Sequence, residues 1–142
     1  MARFDLSLDI ARPPEDVFAY LTDVARLPEW QSTARSAEAD GPLRKGSQIR
    51  EQRQFLGREV TAKLEVTSLE PSSRFAVTSR VGPVSFAIDH RLEPSASGTR
   101  LEVEVDVRMG AMMRIAAQGP LKLAEREFRA DFARLKEILE SE

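Results

Sequence analysis

The sequence predicts an α+β fold: a curved, seven-stranded antiparallel sheet wrapped around one long C-terminal helix, with two short helices between the first and second strands. Three observations carry this. Short runs alternate apolar and polar residues, as half-buried strands do. Glycine and proline clusters separate these runs at regular spacing, as in an antiparallel meander. The last thirty or so residues change to helical spacing.

The elements follow in order. "RFDLSLDI" places Phe4, Leu6, Leu8 and Ile10 on one side and Asp5, Ser7 and Asp9 on the other, which is a strand. "ARPPEDVFAYLTD" then changes period. Its two prolines and the acids Glu15 and Asp16 suit a helix start, since proline there loses no needed donor and acids favour the positive end. Val17, Tyr20, Leu21 and Val24 have helical spacing, and Asp23 is a cap for a second short helix toward Trp30 that Pro28 keeps short. "GPLRKG" precedes the strand "SQIREQRQF", "LG" at 56–57 joins it to "REVTAKLEVTSL", and "EPSS" leads to "RFAVTSR". "VGP" leads to "VSFAIDHRLE" and "PSASG" to "TRLEVEVDVRM". Five of the six later strands thus have bounds; the sixth is counted without them. At the end, Leu121, Ala124, Phe128, Phe132, Leu135 and Ile138 or Leu139 form one apolar stripe, and Gly119-Pro120 should start or kink this helix.

The chain has 142 residues, enough for one domain over 1–142 with a proper core. Acids and bases are scattered and the net charge is −2, so there is no clustered basic face for nucleic acid. With no cysteine, disulfides, a thiol nucleophile and thiolate metal sites are excluded. One histidine leaves only carboxylates for a metal, so no metal site is expected. The glycines are dispersed among turns and form no phosphate-binding loop; no cofactor is expected. The N-terminus lacks the apolar core of a signal peptide, and no segment has the length of a membrane span. A soluble, cytoplasmic protein without integral membrane association is expected; an oligomer is not indicated.

The strand count has a geometric consequence. Seven strands about 4.8 Å apart make a sheet roughly 33 Å wide. A helix with its side chains is only about 10–12 Å across. The sheet must therefore curl, and a hollow is expected between sheet and helix, lined by the inward residues. These are Val60, Ala62, Leu64 and Val66; Phe75 and Val77; Val84, Phe86 and Ile88; and Leu101, Val103, Val105 and Val107.

The chain resembles the Bet v 1-like, START-related (SRPBCC) superfamily, in particular its bacterial polyketide cyclase/dehydrase branch. The residues that carry the resemblance are "IARPPEDVFAYLTDVARLPEW", "LEPSASGTRLEVEV" at 92–105 and the terminal "FARLKEILE". The resemblance spans essentially the whole chain. It implies a helix-grip fold with a ligand cavity. Members bind lipids, hormones, polyketides or other hydrophobic molecules, and a minority are aromatases, cyclases or hydrolases. It supplies no shared catalytic motif.

His90 shares the inward parity of Val84, Phe86, Ile88 and Leu92. It reads either as an acid–base or ligand-binding imidazole or as a core histidine bonded to a neighbour. Contact with a ligand is preferred over catalysis, because no nucleophile can be placed beside it. Glu51 and Arg53 share parity with Ile49 and Phe55. They read either as an inward polar pair for a ligand head group or enolate, or as part of an edge strand whose side chains all reach water. The polarity of both faces favours the edge. Arg58 lies beside a turn and reads as solvated. Tyr20 and Trp30 could touch a ligand but read better as packed rings with satisfied polar tips. "MGAMMRIAAQG" is either a soft lid over a hydrophobic entrance or a packed strand-to-helix junction.

The expected ligand contacts are therefore Trp30, Val60, Leu64, Phe75, Val77, Phe86 and Ile88, with His90, Leu101, Val103, Val105, Met112 and Phe128. His90, Arg53 and Glu51 are the candidates for catalysis. Three functions remain open at this point. The first is binding or transport of a small hydrophobic molecule. The second is a cyclase or aromatase using cavity acid–base groups. The third is a partner-binding module with a filled core.

Overall fold

The computed structural model describes residues 2–55, 57–81 and 84–142. The strands are β1 (Ala2–Ile10), β2 (Ala34–Ala39), β3 (Gln48–Phe55), β4 (Arg58–Glu70), β5 (Arg74–Val81), β6 (Val84–Ser95) and β7 (Gly98–Arg108). The helices are α1 (Pro14–Leu21), α2 (Leu27–Trp30), α3 (Ala111–Ala116) and α4 (Gln118–Ser141). The strands form one antiparallel sheet in the order β1-β7-β6-β5-β4-β3-β2. The expected turns at 56–57 and 81–83 lie partly outside the described residues, at Leu56, Gly82 and Pro83.

The strand without sequence bounds is β2, "ARSAEA". Its inward residues are alanines, too weakly apolar for alternation to mark it. It pairs with β3 and so takes the sheet edge that the polarity of β3 had suggested for β3 itself. Register shifts at Ala34/Ser36 and Val66/Ser68 break the ladder at two places. Such bulges bend a strand and raise its twist, which curls the sheet.

α1 begins as its prolines and acids predict, with Pro14 inside the first turn followed by Glu15 and Asp16. The second short helix is split into a 3₁₀ turn at Val24–Arg26 and α2. Asp23 occupies the cap position of that turn but makes no side-chain cap bond; its carboxylate lies 3.4 Å from Arg26 Nε. Pro120 sits in the first turn of α4, so it starts the helix and does not kink it. The methionine stretch forms α3, a helical turn the sequence pattern did not separate from its surroundings.

The C-terminal half of α4 is stapled to one end of the sheet. Arg12 donates to Leu139 O (2.8 Å), Lys136 to Asp9 O (2.6 Å) and the Ala11 N–H to Glu140 Oε2 (2.9 Å). Thr99 Oγ1 donates to Arg12 O (2.7 Å), which holds the β6–β7 turn against the β1–α1 connection. Gly98 stands at φ 147°, and a Cβ there would lie 2.4 Å from Ile10 O and 2.6 Å from Arg12 N. The chains approach this closely only because the position has no side chain.

Candidate functional site

The concave face divides into rows across the strands. One row runs Phe75, His90, Val103 and Leu6 through paired positions of β5, β6, β7 and β1, and all four are buried. The next runs Val66, Val77, Ile88, Val105 and Phe4, with Ile88 and Phe4 only partly buried. The third runs Leu64, Ser79, Phe86 and Val107, and only Val107 is buried. Cover over the sheet thus thins from the stapled end toward the α3 end.

The closed half is filled by rings. Trp30 stands edge-on to Phe132 with centroids 5.0 Å apart, Phe128 lies 4.9 Å from Phe132, and His90 stacks on Phe75 at 5.4 Å and 20°. The His90 Nδ1–H donates to Phe75 O (2.8 Å); a carbonyl can only accept, so this fixes the tautomer. Burial pulls the imidazole down to about 4, and it is neutral at pH 7. The Trp30 Nε1–H is buried and has no hydrogen-bond partner among the described residues. Tyr20 donates to Glu29 Oε1 (3.0 Å), and burial, then that bond, raises its hydroxyl to about 12.

A polar cluster sits at the β3 side. Glu51 is 3% exposed, and the Arg53 guanidinium donates to its Oε1 (2.5 Å), to Thr33 Oγ1 (2.9 Å) and to Gln31 Oε1. The solvated-edge reading is therefore wrong for Glu51 and holds only in part for Arg53, which keeps some access to water: β2 covers β3, so inward parity carries both toward the protein interior. Next to them the Ser32 N–H donates to Asp131 Oδ1 (3.1 Å). Burial raises the Asp131 carboxyl, against the pull of that bond and of Arg53 and Arg134. Asp131 lies three residues after Phe128 and four before Leu135, on the edge of the apolar stripe. That spacing is the signal by which it could have been found. No three His, Asp or Glu side chains converge to hold a metal among the described residues.

The cluster borders a cleft of about 370 Å³ between the first half of α4 and the β2–β4 side of the sheet. Thr33 is common to both; Gln54, Pro120, Leu123, Ala124 and Glu127 complete most of the wall. A second hollow of about 600 Å³ spans β3 to β7, lined mainly by outward-facing residues such as Lys63, Thr78, Arg80, Ser85 and Arg108.

The sequence-predicted contacts thus separate. Trp30, Phe75, Val77, Leu101, Val103 and Val105 are packed in the hydrophobic core, and His90 is buried beside them. Val60, Leu64, Phe86, Ile88 and Phe128 are half-buried. Met112 is 86% exposed on α3 and Arg58 is exposed beside its turn.

Solved structures share this architecture. The di-domain ARO/CYC StfQ of the steffimycin biosynthetic pathway superposes at TM-score 0.81 and 12% identity, covering 98% of this chain and 51% of that one. Ara h 8.0201, a Bet v 1-like protein, matches at TM-score 0.74 and 14% identity over 99% of each chain. A protein from Rhodobacter sphaeroides matches at TM-score 0.75 and 24% identity, covering 98% of this chain and 92% of that one. Curated proteins give no match to the sequence. The fold is the Bet v 1-like helix grip. A family model described as "Polyketide cyclase / dehydrase and lipid transport" matches residues 1–140, and the chain belongs to that family.

Proposed function

We propose that this protein binds a small hydrophobic molecule, lipid- or polyketide-like, between the sheet and the first half of α4. The observation that carries this is the half-buried inward row Leu64, Phe86 and Ile88, with Val60 and Phe128, together with a cleft against the first half of α4 that is lined by Thr33, a partner of the Arg53 that pairs with buried Glu51. Apolar burial would supply affinity, at about 25 cal/mol per Å² before association costs. Arg53 would orient a ligand oxygen in place of Thr33 or Gln31. Membership of a family that joins cyclases with lipid transport supports the reading. Native mass spectrometry of the purified protein, before and after organic extraction, tests it. The expected result is a discrete added mass that extraction removes and that Phe86→Ser weakens. A bare mass that gains neither a fatty acid nor an aromatic polyketide on incubation sinks the proposal.

A second reading rests on Asp131. A carboxyl that burial keeps more protonated than usual, beside Glu51 and Arg53, is suited to proton transfer on a bound polyketide. An enzyme of this kind loses turnover in Asp131→Asn while still binding the chain it cyclises. Unchanged turnover removes this reading and leaves binding intact.

A further inference from the structure

We propose that the α3 end of the molecule docks on an anionic lipid bilayer. Two independent observations meet there. The first is exposed apolar surface. Among the described residues, the large apolar side chains that stand exposed are Met112, Met113, Ile115 and Leu123, all within one twelve-residue stretch. Met112 is 86% and Ile115 70% exposed. On α3 the spacing of Met112, Met113 and Ile115 puts them on one arc, with Arg114 opposite. A short amphipathic helix of this kind seats its apolar face at the headgroup–acyl boundary.

The second observation is charge. No Asp or Glu occurs between Asp106 and Glu125, whereas Arg108, Arg114 and Lys122 do, in a chain whose net charge is −2. The adjoining end of the sheet adds more. Arg80, Ser85 and Arg108 stand opposite one another across β5, β6 and β7. Lys63 lies beside them on β4, where its carbonyl accepts from Ser79 Oγ (2.9 Å). Lys63, Arg80 and Arg108 form no ion pair among the described residues, and Arg80 only reaches Ser85 Oγ (3.4 Å). Of the two acids in the same hollow, Asp106 is held by Arg3 (2.8 Å), which leaves Glu65 as the opposing charge. Cations flanking exposed apolar side chains match an anionic membrane surface, where each adds attraction within a Debye length. A two-fold contact between copies would instead set these same cations against one another. The inference goes beyond ligand binding and stands on the outer surface whether or not the cleft is filled.

Co-sedimentation of the full chain with vesicles tests it. One set contains equal parts phosphatidylglycerol and phosphatidylcholine, the other phosphatidylcholine alone. The expected result is binding to the first set, weakened by salt, and little to the second. The double variant Met112→Gln/Ile115→Gln should lose at least about tenfold in partitioning. Arg80→Gln and Arg108→Gln should each lose about fivefold. All four side chains are exposed, so circular dichroism should be unchanged and the losses read as surface effects. Equal binding to both vesicle sets, binding to neither, or unchanged binding by the double variant overturns the proposal. So does sedimentation velocity showing a dimer that the double variant dissolves, since the face would then be a contact between copies.

Discussion

The two halves of the concave face come from the same strands with the same period-two pattern, yet one is packed and the other is not. Phe75 and His90, on β5 and β6, are buried under Phe132 and Trp30. Ser79 and Phe86, paired on the same two strands four residues further along each, are only partly covered. The strands do not make the difference; the cover does. The C-terminal half of α4 is held by Arg12, Lys136 and Glu140 against backbone groups of the β1–α1 region and of the helix itself. At the other end every residue from Gly110 to Ala116 is exposed. A helix narrower than its sheet has to leave part of the face bare, and here the stapling decides which part.

The sharpest test of this contrast is a pair of truncations. Phe132→Ala should lose about 4 kcal/mol of unfolding free energy, because it opens a cavity among Trp30, His90 and Phe128. Phe86→Ala should lose less, about 2 kcal/mol, since its ring is only partly covered. Urea denaturation of both measures the difference; equal losses would mean that the two halves are equally packed.

The next effect is that of pH on the closed half. The folded His90 is pulled down to about 4 from its ordinary 6.5, so between these values the unfolded chain binds one proton more than the folded one. Stability therefore falls as pH drops from about 6.5 to 4, by about 3 kcal/mol. Denaturation midpoints across this range should show the slope, and His90→Gln should flatten it. Asp131 acts with the opposite sign. Its raised carboxyl gives stability that is lost as pH rises through its folded value, so an Asp131→Asn background isolates the histidine. A wild-type slope that survives in His90→Gln would place the proton elsewhere.

The smallest of the three concerns the border between the halves. Arg53→Met leaves Glu51 buried and without its cation, and should lose about 2 kcal/mol. Glu51→Gln should lose less, since Arg53 keeps Thr33, Gln31 and partial access to water. Thermal melts that ranked the two variants the other way would mean that the guanidinium, and not the carboxylate, depends on the pair.

Much of this fold is legible in single residues. Pro14 with Glu15 and Asp16 marks the start of α1, and Pro120 the start of α4, because proline's missing donor is harmless only in a first turn. The alternation in "VSFAIDHRL" put His90 on the concave face, and its inward rows run unbroken from β4 to β1. β2 was not legible in this way, since its inward alanines carry too little hydrophobic contrast and the bulge at Ala34/Ser36 breaks their period. The weak pattern of β2 bears directly on the site. Without β2 outside it, β3 looks like an edge, and Glu51 and Arg53 look solvated. Asp131 and Gln31 escaped for a related reason: each is an ordinary polar residue until a partner from a distant segment reaches it.

The sequence by itself determined which residues face inward, because a side-chain period of two or of 3.6 is a local property of the backbone. It also determined that one helix must grip a sheet too wide for it. Only the tertiary structure decided where the grip is tight. That depends on contacts more than a hundred residues apart, such as Arg12 with Leu139 and Lys136 with Asp9, whose geometry no local period encodes. It likewise decided that His90 is a neutral ring stacked on Phe75, whereas Arg53 keeps partial access to water: burial belongs to the assembled layers, not to the strand.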